Sequence, residues 1–197
     1  MKTFVKTLAM IVVALFYRVK ISGMENIKQN ESYLLCANHT SIMDMVFLQS
    51  KFKRWIYWMA KIELFKKPII AKLLRKLGAF PVDRGKADFS ALRTAIKILK
   101  EGKICGVFPE GTRKNQHVGE ILKPKSGAAF LAYHAKAKIL PVYISPNHHP
   151  FSSVNIVIGT PFSITKQKDE VNGNHAALKE NAQYIMDRIY SLKESIV

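Results

Sequence analysis

Three short runs constrain this chain more than anything else in it: Tyr33–Ala37 (YLLCA), Ile104–Phe108 (ICGVF) and Ile139–Ile144 (ILPVYI). None carries a charged side chain, and none alternates apolar with polar. A strand with one wet face alternates, whereas a strand covered on both faces reads as a continuous apolar run. Such strands need helices on both sides. The sequence supplies helical patterns between them, at about Ser41 to Gln49, Asp88 to Lys100 and Ser126 to Lys136. In the second of these Phe89, Leu92, Ile96 and Leu99 fall on one face, and Gly102 comes next at the stop position. Further strands are expected at Arg18–Ile21, Ala79–Val82 and Val154–Ile158. Further helices are expected over residues 3–17, over 62–77 with a break near Pro68, and over His175–Glu194. This alternation predicts an α/β fold: a single domain with a largely parallel central sheet flanked by helices, preceded by an N-terminal membrane-associating helix. The 197 residues suffice for one well-cored domain, spanning 18–197 after a helix over 1–17, with little room for a second.

In a parallel sheet the ligand site gathers at the carboxyl ends of the strands. The residues just past each buried run are therefore the candidates for function. The first run stops at Asn38 and His39, and Asp44 comes five residues after the histidine, in CANHTSIMDM. Two readings fit. Ser41-x-x-Asp44 matches a helix capping box, with Asn38 and Thr40 as turn residues and His39 at the surface. Alternatively His39 and Asp44 work together. On one continuous helix, residues five apart diverge by about 140°. With His39 before the helix and Asp44 in its first turn, the chain can fold the two together. The carboxylate would then fix the imidazole tautomer and leave the other ring nitrogen as a base.

Two further turns lie after strands. Gly78 to Gly85 (GAFPVDRG) lacks the Walker spacing but presents Arg84 on a glycine-flanked turn, either as a phosphate clamp or as half of a surface pair with Asp83. Phe108 to Arg113 (FPEGTR) places Glu110 and Arg113 around Gly111, whose backbone freedom permits close approach to a ligand. Here Glu110 either binds an acceptor hydroxyl or holds Arg113, and the alternative is a turn with a weak local salt bridge.

The charge is lopsided, with 31 Lys+Arg against 14 Asp+Glu and a net charge of +17. That excess calls for anionic partners: nucleic acid, anionic lipid, or phosphorylated ligands. Residues 51–76 hold nine basic residues and one acid, Glu63, interleaved with Trp55, Tyr57, Trp58 and Phe65. Rings among lysines suit a membrane interface. Stacking on single-stranded nucleic acid is the other use of such a segment, but no nucleic-acid-binding signature accompanies it. Leu8 to Tyr17 are ten unbroken apolar residues, against the roughly 20 a span requires. Phe16-Tyr17-Arg18 stands where a small-residue cleavage site would be needed, so the run reads as an anchor lying in one leaflet. Cys36 and Cys105 have no neighbour at metal-ligand spacing and read as reduced core residues. No metal and no bound cofactor are expected, and no Gly-x-Ser-x-Gly elbow offers a nucleophile.

Together these segments resemble the PlsC-like glycerolipid acyltransferases, the 1-acylglycerol-3-phosphate acyltransferase family. The family's Asn-His-x-x-x-x-Asp box corresponds to Asn38–Asp44, its arginine-bearing loop to Gly78–Gly85, its third block to Phe108–Arg113 and its strand with a central proline to Ile139-Leu140-Pro141-Val142. Lys61 and Leu64-Phe65 resemble its Ala-Lys-x-Glu-Leu-Phe stretch. One departure is Leu122–Gly127 (LKPKSG), where the family usually carries Phe-Lys-x-Gly. The resemblance implies acyl transfer from an acyl-CoA or acyl carrier protein thioester to the 2-hydroxyl of lysophosphatidic acid, forming phosphatidic acid. His39 would be the general base and Asp44 its orienting carboxylate. Arg84, Arg113 and Lys61 would hold the acceptor phosphate, and Glu110, Gly111 and Thr112 would shape the site. It also implies a peripheral or monotopic protein on an anionic membrane, at the cytoplasmic face. The rivals are an acyltransferase with another acceptor (glycerol 3-phosphate, another lysophospholipid or a lyso-aminolipid) and a non-catalytic basic membrane- or nucleic-acid-binding protein.

Overall fold

The computed structural model describes residues 1–85, 88–111, 124–146, 149–164 and 174–196. In chain order the helix α1 (Lys2–Phe16) leads into the strand β1 (Arg18–Ser22), and β2 (Tyr33–Ala37) into α2 (Met43–Lys51). Next come β3 (Ile56–Lys61), α3 (Pro68–Lys76), β4 (Phe80–Val82), α4 (Phe89–Lys100) and β5 (Ile104–Val107). The chain continues through α5 (Gly127–Ala135), β6 (Lys138–Ile144), β7 (Ser153–Ile158) and α6 (Asn174–Tyr190).

The strands form one seven-stranded sheet in the order β1-β7-β6-β2-β5-β3-β4. β2, β3, β4, β5 and β6 are mutually parallel, while β7 runs antiparallel to β6 and carries β1 parallel to itself. All five residues of β2 are buried, because alternate side chains enter different cores. Leu34 and Cys36 join Cys105, Val107 and Ile139 beneath α4, α5 and α6. Tyr33, Leu35 and Ala37 join Phe47, Leu48 and Val13 beneath α1 and α2. The continuous apolar runs are therefore the signature of a doubly covered sheet.

The connection after β2 (through α2) and the connection after β5 (through α5) leave the sheet on opposite faces. β2 and β5 are neighbours, paired from Tyr33↔Ile104 to Cys36↔Val107. Between them the chain opens a crevice at the strands' carboxyl ends, the usual ligand position in an open α/β sheet.

Three expectations need correction. Residues 51–61 contain the strand β3, hidden from a compositional reading by flanking lysines; Ile56, Trp58 and Ala60 point inward and are buried, with less buried residues between them. In α4 Leu99 is buried and Leu92 and Ile96 pack against the core as expected, joined by the buried Ala91, Ala95 and Ile98, but Phe89 stands 64% exposed. Small residues turn inward there because α4 packs closely on the alanine-rich α5. The expected closing helix ends at Tyr190 and continues as a 3-10 turn over Ser191–Ser195. The break at Pro68 is borne out: a 3-10 turn over Ile62–Phe65 precedes α3, which starts with the proline at its first position.

Candidate active site

β2 delivers His39 to the crevice, two residues past its last ladder pair. Asn38 makes that exit rigid. Its side-chain Nδ2 donates to the Ile144 carbonyl and its Oδ1 accepts from the Ile144 N–H, both at 2.8 Å. The amide thus mimics a peptide group and extends the β2–β6 pairing by one step. Local pattern alone makes Asn38 a turn residue. The signal it carries in the sequence is a polar residue continuing a fully buried run.

His39 is 4% exposed and Asp44 is fully buried. The His39 Nδ1 lies 2.9 Å from Asp44 Oδ2. The same oxygen accepts the Thr40 N–H at 2.8 Å and the Ser41 N–H at 2.9 Å. Of the first reading only the reach-back of Asp44 to the backbone entering α2 survives, and it shares one carboxylate oxygen with the second, while His39 is buried and not at the surface. An oxygen that already accepts two backbone N–H groups has no proton to give toward the ring, so Nδ1 is the donor and Nε2 is left unprotonated. The ring plane is fixed from a second direction. Phe108 stacks on the imidazole at 3.8 Å between centroids and 13° between planes, and Trp58 stacks on Phe108 at 5.1 Å and 9°. Gly106 in β5 makes room for this stack, because a Cβ there would lie 2.5 Å from the Trp58 ring.

β5 delivers Glu110, 4% exposed, on the turn beyond its end. Its Oε2 accepts the His39 backbone N–H at 3.4 Å, and its Oε1 accepts the Tyr190 hydroxyl at 2.7 Å. Burial, and after it the bond to Glu110, pushes the Tyr190 phenol well above its ordinary range. Gly111 adopts a left-handed φ of +72°, and a Cβ on it would meet the Lys125 side chain at 2.8 Å. Lys125 crosses over this glycine to donate from Nζ to the Arg84 carbonyl at 2.7 Å. It thereby ties the turn after β4 to the turn after β5. Lys125 stands in the segment that departs from the resembled motif, and nothing in its sequence context marks it for this role.

Arg84 is half-buried on the turn after β4, a turn closed by Asp83 Oδ1 accepting the Gly85 N–H at 2.9 Å. Lys61 ends β3 directly opposite Val82, so it stands at the same end of the sheet as Arg84. Its Nζ lies 3.0 Å from Glu63 Oε1, both side chains being about half exposed. Thr112 and Arg113 lie outside the described residues. The thiols of Cys36 and Cys105 are buried, and desolvation raises both, Cys105 to about 12. Neither is a thiolate at neutral pH.

A buried histidine–carboxylate pair at the switch point of a parallel sheet, at the same end of the sheet as the Arg84 turn, has the chemistry to abstract a proton beside an anionic ligand. The family model described as Acyltransferase matches residues 18–145. The chain is 30% identical over 185 residues to the 1-acyl-sn-glycerol-3-phosphate acyltransferase of Bacillus subtilis, covering 88% of this chain and 91% of that protein. It is 38% identical over 122 residues to the enzyme of the same name from Streptococcus pneumoniae, covering 60% and 44%. The crystal structure of the 1-acyl-sn-glycerophosphate (LPA) acyltransferase PlsC from Thermotoga maritima superposes with a TM-score of 0.72 at 25% identity, over 99% of this chain and 81% of that one. This chain belongs to the acyltransferase family.

Proposed function

We propose that this protein transfers a fatty acyl group from an acyl thioester to the 2-hydroxyl of 1-acyl-sn-glycerol 3-phosphate, forming phosphatidic acid. The observation that carries the proposal is the His39 Nδ1–Asp44 Oδ2 contact of 2.9 Å in the crevice between β2 and β5. It leaves Nε2 as a base where an alcohol can approach. An alcohol attacks a thioester poorly unless its proton leaves as the new bond forms. His39 Nε2 takes that proton while the hydroxyl oxygen bonds to the thioester carbonyl carbon. The resulting tetrahedral oxyanion collapses, the C–S bond breaks, and the imidazolium returns its proton to the departing thiolate. Asp44 stabilises the imidazolium between these events. Both cysteines are buried and protonated, so neither offers a thiolate nucleophile, and the reading takes direct transfer in a ternary complex.

Arg84, Arg113 and Lys61 hold the acceptor phosphate, the arginines through their planar forks. Glu110, Gly111 and Thr112 shape the wall beside it. The donor is acyl-CoA or acyl carrier protein, both anionic and both matched by the net charge of +17.

The same reading places the protein on the surface of an anionic membrane, at its cytoplasmic face, where the reduced thiols fit. No helix among the described residues is long and apolar enough to cross a membrane. Instead α1 shows an apolar face on each side. Val13 packs into the core, while Phe4, Leu8, Ile11 and Leu15, one stripe at helical spacing, are 70%, 50%, 51% and 64% exposed. The stripe continues into Phe16 and Phe151, whose rings meet at 5.9 Å. An exposed apolar stripe on a strongly cationic protein suits the interfacial zone of an anionic bilayer.

The test is incubation of the full chain with lysophosphatidate in anionic detergent–lipid micelles, with each thioester donor in turn. Phosphatidate formation with one of them is expected. Folded protein that forms none with either donor would overturn the assignment of the acceptor.

A further inference from the structure

We infer that Tyr190, the last residue of α6, is a positioning residue for the catalytic histidine, acting through Glu110. The inference rests on the acyltransferase reading above and assigns a part in it to a residue beyond the segment, 18–145, that the family model matches.

Two hydrogen bonds link α6 to the catalytic loop. The Tyr190 hydroxyl donates to Glu110 Oε1 at 2.7 Å, and Glu110 Oε2 accepts the backbone N–H of His39 itself at 3.4 Å. One carboxylate therefore spans from the C-terminal helix to the residue that carries the base. The anchor is firm, since Ala182, Ile185, Met186 and Ile189 on the same helix are buried in the core beneath α5 and β6. The Tyr190 ring meets Tyr143 of β6 edge-on at 6.0 Å.

A phenylalanine would supply that ring contact equally well. What tyrosine adds is a donor aimed at a buried carboxylate, and a half-buried phenol raised above its ordinary range keeps its proton throughout the neutral region. Hydrogen bonds to an ionised acceptor are roughly twice as strong as neutral ones, so the hydroxyl selects one rotamer of Glu110. With that rotamer fixed, the His39 backbone is held where its ring meets both Asp44 and Phe108.

The test compares wild type, Tyr190→Phe, Glu110→Gln and the double variant, using the full chain in lipid micelles. Tyr190→Phe should lower kcat about tenfold, the scale of one charge-assisted hydrogen bond, with the acceptor KM changed less than about twofold. In the Glu110→Gln background the same substitution should cause less than about a twofold further fall. The backbone amide of His39 should exchange faster with solvent in Tyr190→Phe, by more than the amides of the α6 core, while the thermal midpoint falls only by the few degrees that one lost hydrogen bond to a buried carboxylate costs. A merely structural role would lower the midpoint and leave kcat and the His39 amide alone, which would overturn the inference. Independent, multiplying effects of the two substitutions would overturn it too. Should wild type form no phosphatidate, the functional reading fails, and the His39 amide still decides whether Tyr190 acts on the loop through Glu110.

Discussion

Replacing Asp44 by asparagine removes a charge while keeping shape, and the structure sets the size of the result. The amide oxygen can take the place of Oδ2 and keep its bonds to His39 Nδ1, Thr40 N and Ser41 N, now at 2.9, 2.8 and 2.9 Å. What disappears is the negative charge beside the imidazole that, in the proposed transfer, takes the proton of the acceptor hydroxyl. For unit charges about 4 Å apart at an effective dielectric of about 20, that attraction is about 4 kcal/mol. Lost from the transition state, it corresponds to a fall in kcat of about 10³-fold. The acceptor KM should change little, because Asp44 acts on the proton transfer and not on the phosphate that binds the acceptor. Converting three charge-assisted bonds to neutral ones should also lower stability by about 2–3 kcal/mol. The assay is phosphatidate formation at saturating lysophosphatidate, alongside urea denaturation of the same preparations. A double variant with His39→Ala should be no slower than His39→Ala alone. Asp44→Asn with kcat within tenfold of wild type, in folded protein, would refute the claim that this carboxylate serves the imidazolium.

Arg84→Ala should raise the KM for lysophosphatidate while sparing that for the thioester, and unchanged acceptor kinetics would count against a phosphate role. Deleting residues 1–17 should release the protein from anionic vesicles in a flotation assay; continued tight binding would move the anchor to the basic segment 51–76. Asn38→Ala strands the Ile144 N–H and carbonyl in a buried setting, so urea denaturation should show a loss of about 2–4 kcal/mol. A loss below about 1 kcal/mol would mean that Asn38 does not close the β2–β6 junction.

The outline of the fold was legible because burial on both faces writes itself into a strand as an unbroken apolar run. β2, β5 and β6 announced themselves in this way, and the rule that ligands sit past the strand ends pointed to His39 and Glu110. β3 was not legible. Its inward residues Ile56, Trp58 and Ala60 alternate with Tyr57 and Met59, and the lysines around them suggested a surface segment. In α4 the pattern found Leu92, Ile96 and Leu99 on the core side but wrongly added Phe89 and passed over Ala91 and Ala95, because pattern favours large apolar residues while close helix packing favours small ones.

At the site, sequence spacing offered Asp44 either as a capping residue or as a partner of His39, but could not say that one carboxylate oxygen would serve both. Contacts made across long stretches of chain were beyond reach. Asn38 meets Ile144 across 106 positions and Glu110 meets Tyr190 across 80. Such pairings are set by the order of strands in the sheet and by the docking of α6, which local pattern does not encode. Lys125 was missed because its use depends on the gap left above Gly111.

The most direct test of the central claim, that His39 is the base of an acyl transfer to lysophosphatidate, is a side-by-side measurement of wild type and His39→Ala in the same micelles. It should track both phosphatidate formation and the binding of lysophosphatidate. General-base catalysis contributes about 10²–10⁴-fold, so wild type should form product, and the variant should lose it by that factor or more while still binding the acceptor. Substantial phosphatidate formation by His39→Ala would contradict the claim and move the base elsewhere in the crevice.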